Sequence, residues 1–555
     1  MKASPPPPLQ TERGDPDDSF AFFSIKTNKI NRKYTAMKKY FVIVAMAFAA
    51  MPMLAQETYE NAKIAADDLN GTARYVGMGG AMEALGADIS TISSNPAGIG
   101  LFRKPTANIS FGFVSQQDAA NFSEGNKTNM SFDQVGFVYA ARTGRNSFLN
   151  FAFNYHKSRN FNFILSAADK LDNASQNKLT YAKQKNGLLF KADDQGVPDF
   201  ENPYVSCNQL DDIYARNLNY DKDKNMWFYD PATAYNLDRA HKGYVGEFDF
   251  NISGNINDRV YLGLTVGLKN VNYRHYGEYT EQLQGPNGNY TMTVGDERKI
   301  DGTGASIVAG AIIRPVEYSP FRIGLSIATP TWYDLKTSNS THVFDNTGAN
   351  VSNGESYNFK LYTPWKFGLS LGHTVGNFLA IGASYEYADY AHLDTRNVSG
   401  RYYDYWGGGY YDSSESDRAM NDHTKQTLKG VSTLKVGLEY KPDPAIAVRF
   451  GYNYVSPMYK NEGFKDGSIQ SNGSYYSSAT DYTNWKTTNR ITCGLGYATG
   501  QFNVDLAYQY SATKGEFSPF MTYVDNVTPD DDNICNAVDV NNKRHQVLLT
   551  LGYKF

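Results

Sequence analysis

The chain has 555 residues, 41% of them hydrophobic, with a formal net charge of -4 and Lys and Arg scattered without a basic stripe, which excludes a nucleic-acid-binding protein. Tyr (42) and Phe (32) are abundant while the mean hydropathy is only -0.51, a pairing foreign to soluble enzymes and expected of a wall whose residues alternate between lipid and a polar interior. Three cysteines, Cys207, Cys493 and Cys535, form no C-x-x-C pair, so neither a zinc knuckle nor a disulfide framework is suggested, although a Cys207 to Cys535 bridge between outer loops stays open.

In chain order, residues 1–36 carry Pro5 to Pro8 in a row and no periodicity, and read as a disordered extension from a start codon placed too early. Residues 37–55 follow the grammar of a cleaved signal peptide. Met37-Lys38-Lys39 is the positive start, Tyr40 to Ala50 the apolar run, and Ala55 the small residue that makes Gln56 the mature N-terminus. That run is broken by Pro52 and falls short of the ~20 apolar residues of a spanning helix.

Residues 56–104 are rich in Ala and Gly and precede the first strand. The Gly77-Met78-Gly79 stretch is no dinucleotide loop, because Met82 stands where the third glycine belongs and no strand precedes it.

From residue 105 to 555 the dominant signal is period two. Val260, Leu262, Leu264, Val266 and Leu268 share one face against Tyr261, Gly263, Thr265, Gly267 and Lys269. About fourteen such strands begin near 105, 132, 147, 243, 259, 302, 321, 362, 377, 430, 445, 486, 501 and 543. Each is near the ~10 residues that a tilted membrane strand needs, about twice the length of strands in a soluble sandwich. Their connections alternate short and long, with short turns around 143–146, 255–258, 316–320, 375–377, 442–444 and 499–500. The fold class is therefore all-β, a transmembrane antiparallel barrel with short periplasmic turns and long outer loops. The longest loop, 158–242, is expected to carry local helices or a lid. The last strand ends in Tyr553 and Phe555, an arrangement similar to the sorting signal read by the barrel-assembly machinery.

Two further features carry the functional reading. The segment Gly79-Gly80-Ala81, Asp88 and Asn95-Pro96-Ala97-Gly98 resembles the N-terminal hatch of the FadL family, outer-membrane transporters of long-chain fatty acids and aromatic hydrocarbons. Family landmarks continue into the barrel at Thr329-Pro330, Thr363-Pro364-Trp365-Lys366, Tyr385 to Tyr390, and Arg449-Phe450-Gly451-Tyr452. The resemblance implies a hatch at 56–104 that plugs the barrel and gates a hydrophobic ligand, which leaves through a sideways opening. It also implies outer-membrane lipid and lipopolysaccharide as surroundings, no cofactor and no enzymatic chemistry.

The inward face should carry Lys269, Lys366, Glu386, Lys435, Glu439, Arg449 and Asp505, which need partners in a dry interior. Lys366, Lys435 and Arg449 are the candidates to meet a ligand carboxylate. A structural barrel or adhesin whose loops bind a cell is the alternative, and a haem-uptake protein a lesser one, because His156, His241 and His275 read as solvated rim residues. Asp221-Lys222-Asp223 begins like a calcium loop, but Met226 replaces its glycine and Ala232 its bidentate Glu. Asp530 to Asn533 reads as a solvated acidic tip, and no metal site is expected.

Overall fold

A computed structural model describes residues 58–185, 190–192, 198–203, 218–221, 223–224, 226–346, 348, 350–405, 408–465, 480–523 and 532–555. The expected extension, signal peptide, Gln56 cleavage point, Cys207 and Asp530-Asp531 lie outside the described residues.

Fourteen strands form the wall: β1 (Thr106–Gln116), β2 (Thr128–Arg142), β3 (Phe148–Asn160), β4 (Ala232–Ile256), β5 (Val260–Gly285), β6 (Gly288–Ile313) and β7 (Arg322–Ala328) make the first half. The second half is β8 (Lys366–Val375), β9 (Leu379–Asp389), β10 (Gly430–Asp443), β11 (Ile446–Val455), β12 (Tyr482–Thr499), β13 (Phe502–Ser518) and β14 (Val538–Lys554). Each pairs antiparallel with its sequence neighbour in the wall. The ring then closes, because β1 pairs with β14 from Thr106 opposite Lys554 to Gln116 opposite Arg544. Closure removes the sheet edge, which could not be satisfied in hydrocarbon.

The alternation read from the sequence sets the two faces. On β5, Leu262, Leu264, Val266 and Leu268 are 40 to 50% exposed, whereas Tyr261 and Thr265 are buried. An apolar surface of this kind around a closed barrel is that of a membrane-spanning protein. Rings mark its two limits. Tyr139, Tyr440, Tyr497, Phe502 and Phe555 are exposed near the short-turn end, and Tyr385, Tyr387, Tyr452 and Tyr508 higher up, where a ring is buried in lipid while its hydroxyl stays wet.

All six expected short turns are present, and Asn257 and Asp258 between β4 and β5 adopt φ of 53° and 54°, the backbone of a tight hairpin. The long connections differ from expectation in one respect. Strands β4, β5 and β6 run 25 or 26 residues, well past the lipid belt, so much of what read as loop is a projecting sheet. Two ribbons, Trp332–Asp345 with Asn350–Tyr362 and Asp394–Asp404 with Gly409–Ser416, extend it further. The long loop after β3 carries a strand, Phe163–Lys170, paired to β4, and helix Gln176–Lys185. This extension overturns the rim reading of the histidines: His275 is fully buried, and His156 and His241 are 8% exposed, because the inner face of the sheet stays covered above the membrane.

Among the described residues, no helix is long and apolar enough to cross a membrane.

Candidate functional site: a hatched lumen

Residues 58–104 occupy the barrel interior as a hatch. It begins with α1 (Thr58–Ala65), turns through α2 (Ala73–Gly77), and ends in two short 3-10 helices, Ile89–Ile92 and Pro96–Leu101.

The lower hatch is fixed by local chemistry. Asp88 caps Ile89–Ile92, accepting from the Ser90 N–H at 3.0 Å and from the Thr72 hydroxyl at 2.9 Å. Asn95 caps Pro96–Leu101 by accepting from the Ala97 N–H at 3.2 Å, with Pro96 at the first position where no N–H is needed. The Pro96 carbonyl accepts from Ser253 on β4 at 2.8 Å, and the Gly98 carbonyl from the Ala87 N–H at 3.0 Å. Gly79 and Gly80 hold φ of 64° and 81°, a conformation that a side chain resists, while Ala81 and Ala97 are fully buried.

The wall answers with glycines of its own. A Cβ on Gly382 of β9 would stand 1.9 Å from the Ala81 carbonyl, one on Gly437 of β10 2.2 Å from that of Met78, and one on Gly451 of β11 2.1 Å from the Gly79 nitrogen. On β5 and β6, Gly263 and Gly310 give the same room to Pro96 and Asn95. These inward glycines were legible as a class, since each sits at a lumen position of a strand where glycine otherwise weakens the sheet.

The lumen charges are paired, as a dry interior requires. Lys435 donates to Glu83 of the hatch at 2.7 Å, and Lys366 pairs with Asp67. Arg449 bridges Glu439 at 2.7 Å and Asp505 at 2.6 Å, and Glu439 also receives Arg74 of the hatch at 2.9 Å. Lys269 faces Glu247 at 3.3 Å and Asp67 at 3.8 Å, and Lys435 lies 3.9 Å from Glu386. The three candidate ligand cations are therefore not gathered in one pocket: Lys366 and Lys435 hold the hatch, and Arg449 belongs to a wall network.

Above the lower hatch an apolar cluster lies beside a buried polar network in which Lys63 and Glu60 of α1 pair at 3.0 Å, Tyr273 bonds Lys63, His241 and His275, and Arg239 pairs with Asp481. Around α1, Tyr59, Ile64, Phe161, Val245, Tyr273, Tyr333, Leu335, Phe359, Leu361, Tyr390 and Val431 form one buried cluster. Beside this layer the regular pairing of the wall is broken for a few residues. The ladder between β7 and β8 ends at Ala328 opposite Lys366 and resumes at Trp332 opposite Tyr362. In the gap Pro330 and Pro364 offer no N–H, and pairing is mixed: the Thr363 N–H still donates to the Thr331 carbonyl at 3.1 Å and the Thr329 N–H to the Ile307 carbonyl at 2.9 Å, while in return Thr363 Oγ1 accepts from the Thr331 N–H at 2.8 Å and Thr329 Oγ1 from the Ile307 N–H at 3.0 Å. On the lipid side, next to this break, an apolar groove of about 630 Å³ lies over small Ala309 and Ala311 between Leu325, Ile327, Phe367 and Tyr387.

At the closing strand, the Phe555 N–H donates to the Pro105 carbonyl at 3.0 Å, its ring meets Phe137 edge-on, and Tyr553 donates to Gln501 at 2.5 Å.

No protein-family model matches the chain, and no curated relative does. Solved structures do. A Pseudomonas aeruginosa FadL homologue aligns over 91% of this chain and 100% of its own at 14% identity and a TM-score of 0.47. The toluene transporter TodX of P. putida aligns over 88% and 99% at 12% identity and a TM-score of 0.45. The toluene transporter TbuX of Ralstonia pickettii gives the same coverage and identity at 0.43.

Proposed function

We propose that the chain is an outer-membrane uptake channel for hydrophobic small molecules such as long-chain fatty acids, exported by the signal at 37–55 and assembled through its C-terminal strand. The observation that carries this reading is the succession of three features along the same strands: a buried apolar cluster that includes Tyr333 and Leu361, the irregular pairing at Thr329-Pro330-Thr331 and Thr363-Pro364-Trp365, and an apolar groove on the lipid face that includes Ile327 and Phe367. A water-filled porin has no use for the first and would leak through the second. A hydrophobic ligand gains about 0.8 kcal/mol per CH₂ buried, which favours entry from outer loops into such a layer. It then passes the wall where backbone pairing is weakest. The lower hatch keeps the polar route to the periplasm shut, so solutes are excluded while an apolar molecule escapes sideways. No covalent step is involved.

The adhesin reading draws on a different place, the ribbon Asp394–Ser416, whose tip exposes Tyr402, Tyr403, Tyr405, Tyr410 and Tyr411. One experiment separates the two. A deletion strain carrying wild type or Pro330→Ala/Pro364→Ala is assayed for uptake of labelled long-chain fatty acid and of toluene. Uptake that depends on the protein, and falls when the two prolines are replaced so that the wall can pair, supports the channel. Uptake of every hydrophobic compound unchanged by deletion removes it in favour of the adhesin.

A further inference from the structure

At the short-turn end of the barrel the charge is unevenly distributed. The entry segment before β1 and the turns after β2, β4 and β6 carry Arg103, Lys104, Arg142, Arg145, Arg259 and Arg314 against two carboxylates, Asp258 and Glu317. Six cations against two carboxylates leave four in excess under one half of the wall. The other three short turns carry only Lys441, which pairs with Glu439 at 3.7 Å, and Asp443. The cations are far apart in sequence and come together because these turns share one end of the barrel.

The pieces form one surface. The Asn257 N–H donates to the Ser147 hydroxyl oxygen at 3.1 Å, joining the turn after β4 to the turn after β2. The Arg314 N–H donates to the Arg259 carbonyl at 2.8 Å, and the Arg314 guanidinium to the Asp258 carbonyl at 3.1 Å, which adds the turn after β6. Arg103 pairs with Asp258 and lies 4.6 Å over the ring of Phe148, seating the entry segment beside them. Lys104, Arg142, Arg145 and Arg259 are exposed, and none has an acidic partner among the described residues. Arg142 donates to the Gly144 and Arg145 carbonyls and Arg259 to that of Pro315, so their bonds stay within the plate.

Depth decides what faces these charges. The turns 143–147, 257–259 and 314–321 are too short to lift them clear of the membrane surface. Ile256 and Ile313 are exposed on the lipid face directly before two of the turns, and Tyr139 stands three residues before Arg142, roughly 10 Å along the strand. A lipid-facing tyrosine marks the headgroup level, so the guanidinium groups lie at or just beyond it, among the lipid phosphates. Tyr318, 94% exposed, and Val316 project from the same plate and give an apolar foothold beside the charges. Five of the six cations are arginines, whose planar fork meets a phosphate through two parallel hydrogen bonds.

We propose that this plate, centred on Arg142, Arg145 and Arg259, binds the phosphate head of an anionic phospholipid in the leaflet at the short-turn end. A soluble acidic protein would match the charge, but the headgroup depth of the plate favours the lipid. The nearly neutral half of the rim around Lys441 serves as an internal control.

The test is equilibrium binding to the folded full chain in nonionic-detergent micelles, with folding verified by heat-modifiable migration. The probes are dioleoyl phosphatidylglycerol, dioleoyl phosphatidylethanolamine, and glycerol 3-phosphate as a head without chains. Wild type is expected to prefer phosphatidylglycerol to phosphatidylethanolamine by about tenfold. Arg145→Gln/Arg259→Gln should lower that preference to about twofold or less and leave phosphatidylethanolamine binding unchanged, whereas Lys441→Gln should keep it. Equal binding of the two lipids by wild type, or a preference that survives the double variant, overturns the site. Glycerol 3-phosphate that displaces phosphatidylglycerol at matched concentration shows a free-phosphate site and overturns the lipid assignment. A preference lost equally in Lys441→Gln shows attraction by overall charge and overturns the plate as its source.

Discussion

The lower hatch, residues 72–101, and the upper hatch, residues 58–70, lie in one lumen but are held in different ways. The lower part is held by shape. Its backbone lies so close to Gly382, Gly437 and Gly451 that a single added methyl group on any of them collides with hatch backbone. Its turns are capped by Asp88 and Asn95 from within. The upper part is held mostly by side chains: Tyr59 donates to Asn484 at 2.9 Å, Asn61 to Thr395 at 2.8 Å, and Asp67 and Asp68 pair with wall cations, while one backbone bond, from the Asp68 N–H to the Ser158 carbonyl at 2.8 Å, ties its end to β3. Contacts made through side-chain ends can be exchanged for those of a ligand, whereas backbone seated in a glycine groove has no substitute. On the proposed channel reading, the lower hatch is the part suited to act as a seal and the upper hatch the part suited to move.

The largest expected effect is on the network that joins the seal to the wall. Replacing Arg449 by Met leaves Glu439 and Asp505, 3% and 5% exposed, without their shared cation, and breaking such a buried network costs about 3–5 kcal/mol. Thermal unfolding followed by gel migration should shift down by a corresponding amount. If it does not, the lumen network adds little to barrel stability.

Next comes Gly451→Val, which forces hatch backbone away from β11 at a cost of about 1–3 kcal/mol, typical of overpacking. The wall itself should still close, so the expected outcome is a heat-modifiable barrel with raised leakage of small hydrophilic antibiotics. An unaltered permeability would show that the seal does not depend on the glycine groove. Asn95→Ala is milder, about 1 kcal/mol for a lost cap. It removes the bond to the Ala97 N–H, so leakage should rise less than for Gly451→Val, and in the same assay.

How much of this was legible in the sequence follows the same division. The wall was, because each strand keeps one face in lipid and the other in the lumen, and the cost of breaking that alternation writes it into every strand, such as Leu262 to Leu268. Turn positions followed from the same register. The extent of β4 to β6 was not, because beyond the lipid the outward face turns polar and the pattern fades, as at Arg274 and Lys299, so projecting sheet resembled loop. In the lumen, the need for partners at Lys435 and Arg449 could be read, since a charge on an inward position has no water to meet. Which carboxylate each would meet could not, because Glu83 and Glu439 are brought to them by the path of the hatch. Arg159, Arg490 and Arg544 escaped notice for a related reason: they come from strands far apart in sequence, and only ring closure through β1 and β14 sets them around Asp68.

The smallest expected effect falls on the upper hatch, and it is the one that separates an exchangeable hold from a weak seal. Asp67 pairs with Lys366 and Lys269 but is 39% exposed, so solvent screens these pairs and reduces their worth to about 1 kcal/mol or less. Asp67→Asn should therefore leave thermal unfolding of the barrel nearly unchanged, in contrast to Arg449→Met. Its mark should be local. Hydrogen exchange of the backbone amides of residues 58–70 should quicken, while those of residues 72–101, seated against the wall glycines, stay protected. Permeability to hydrophilic antibiotics should not rise, because the seal lies below. If exchange quickens equally throughout 58–101, the hatch moves as one body and the distinction between its two parts is lost. If residues 58–70 stay as protected as before, the apolar packing of Tyr59 and Ile64 alone holds α1, and Asp67 contributes only to the charge balance of Lys366.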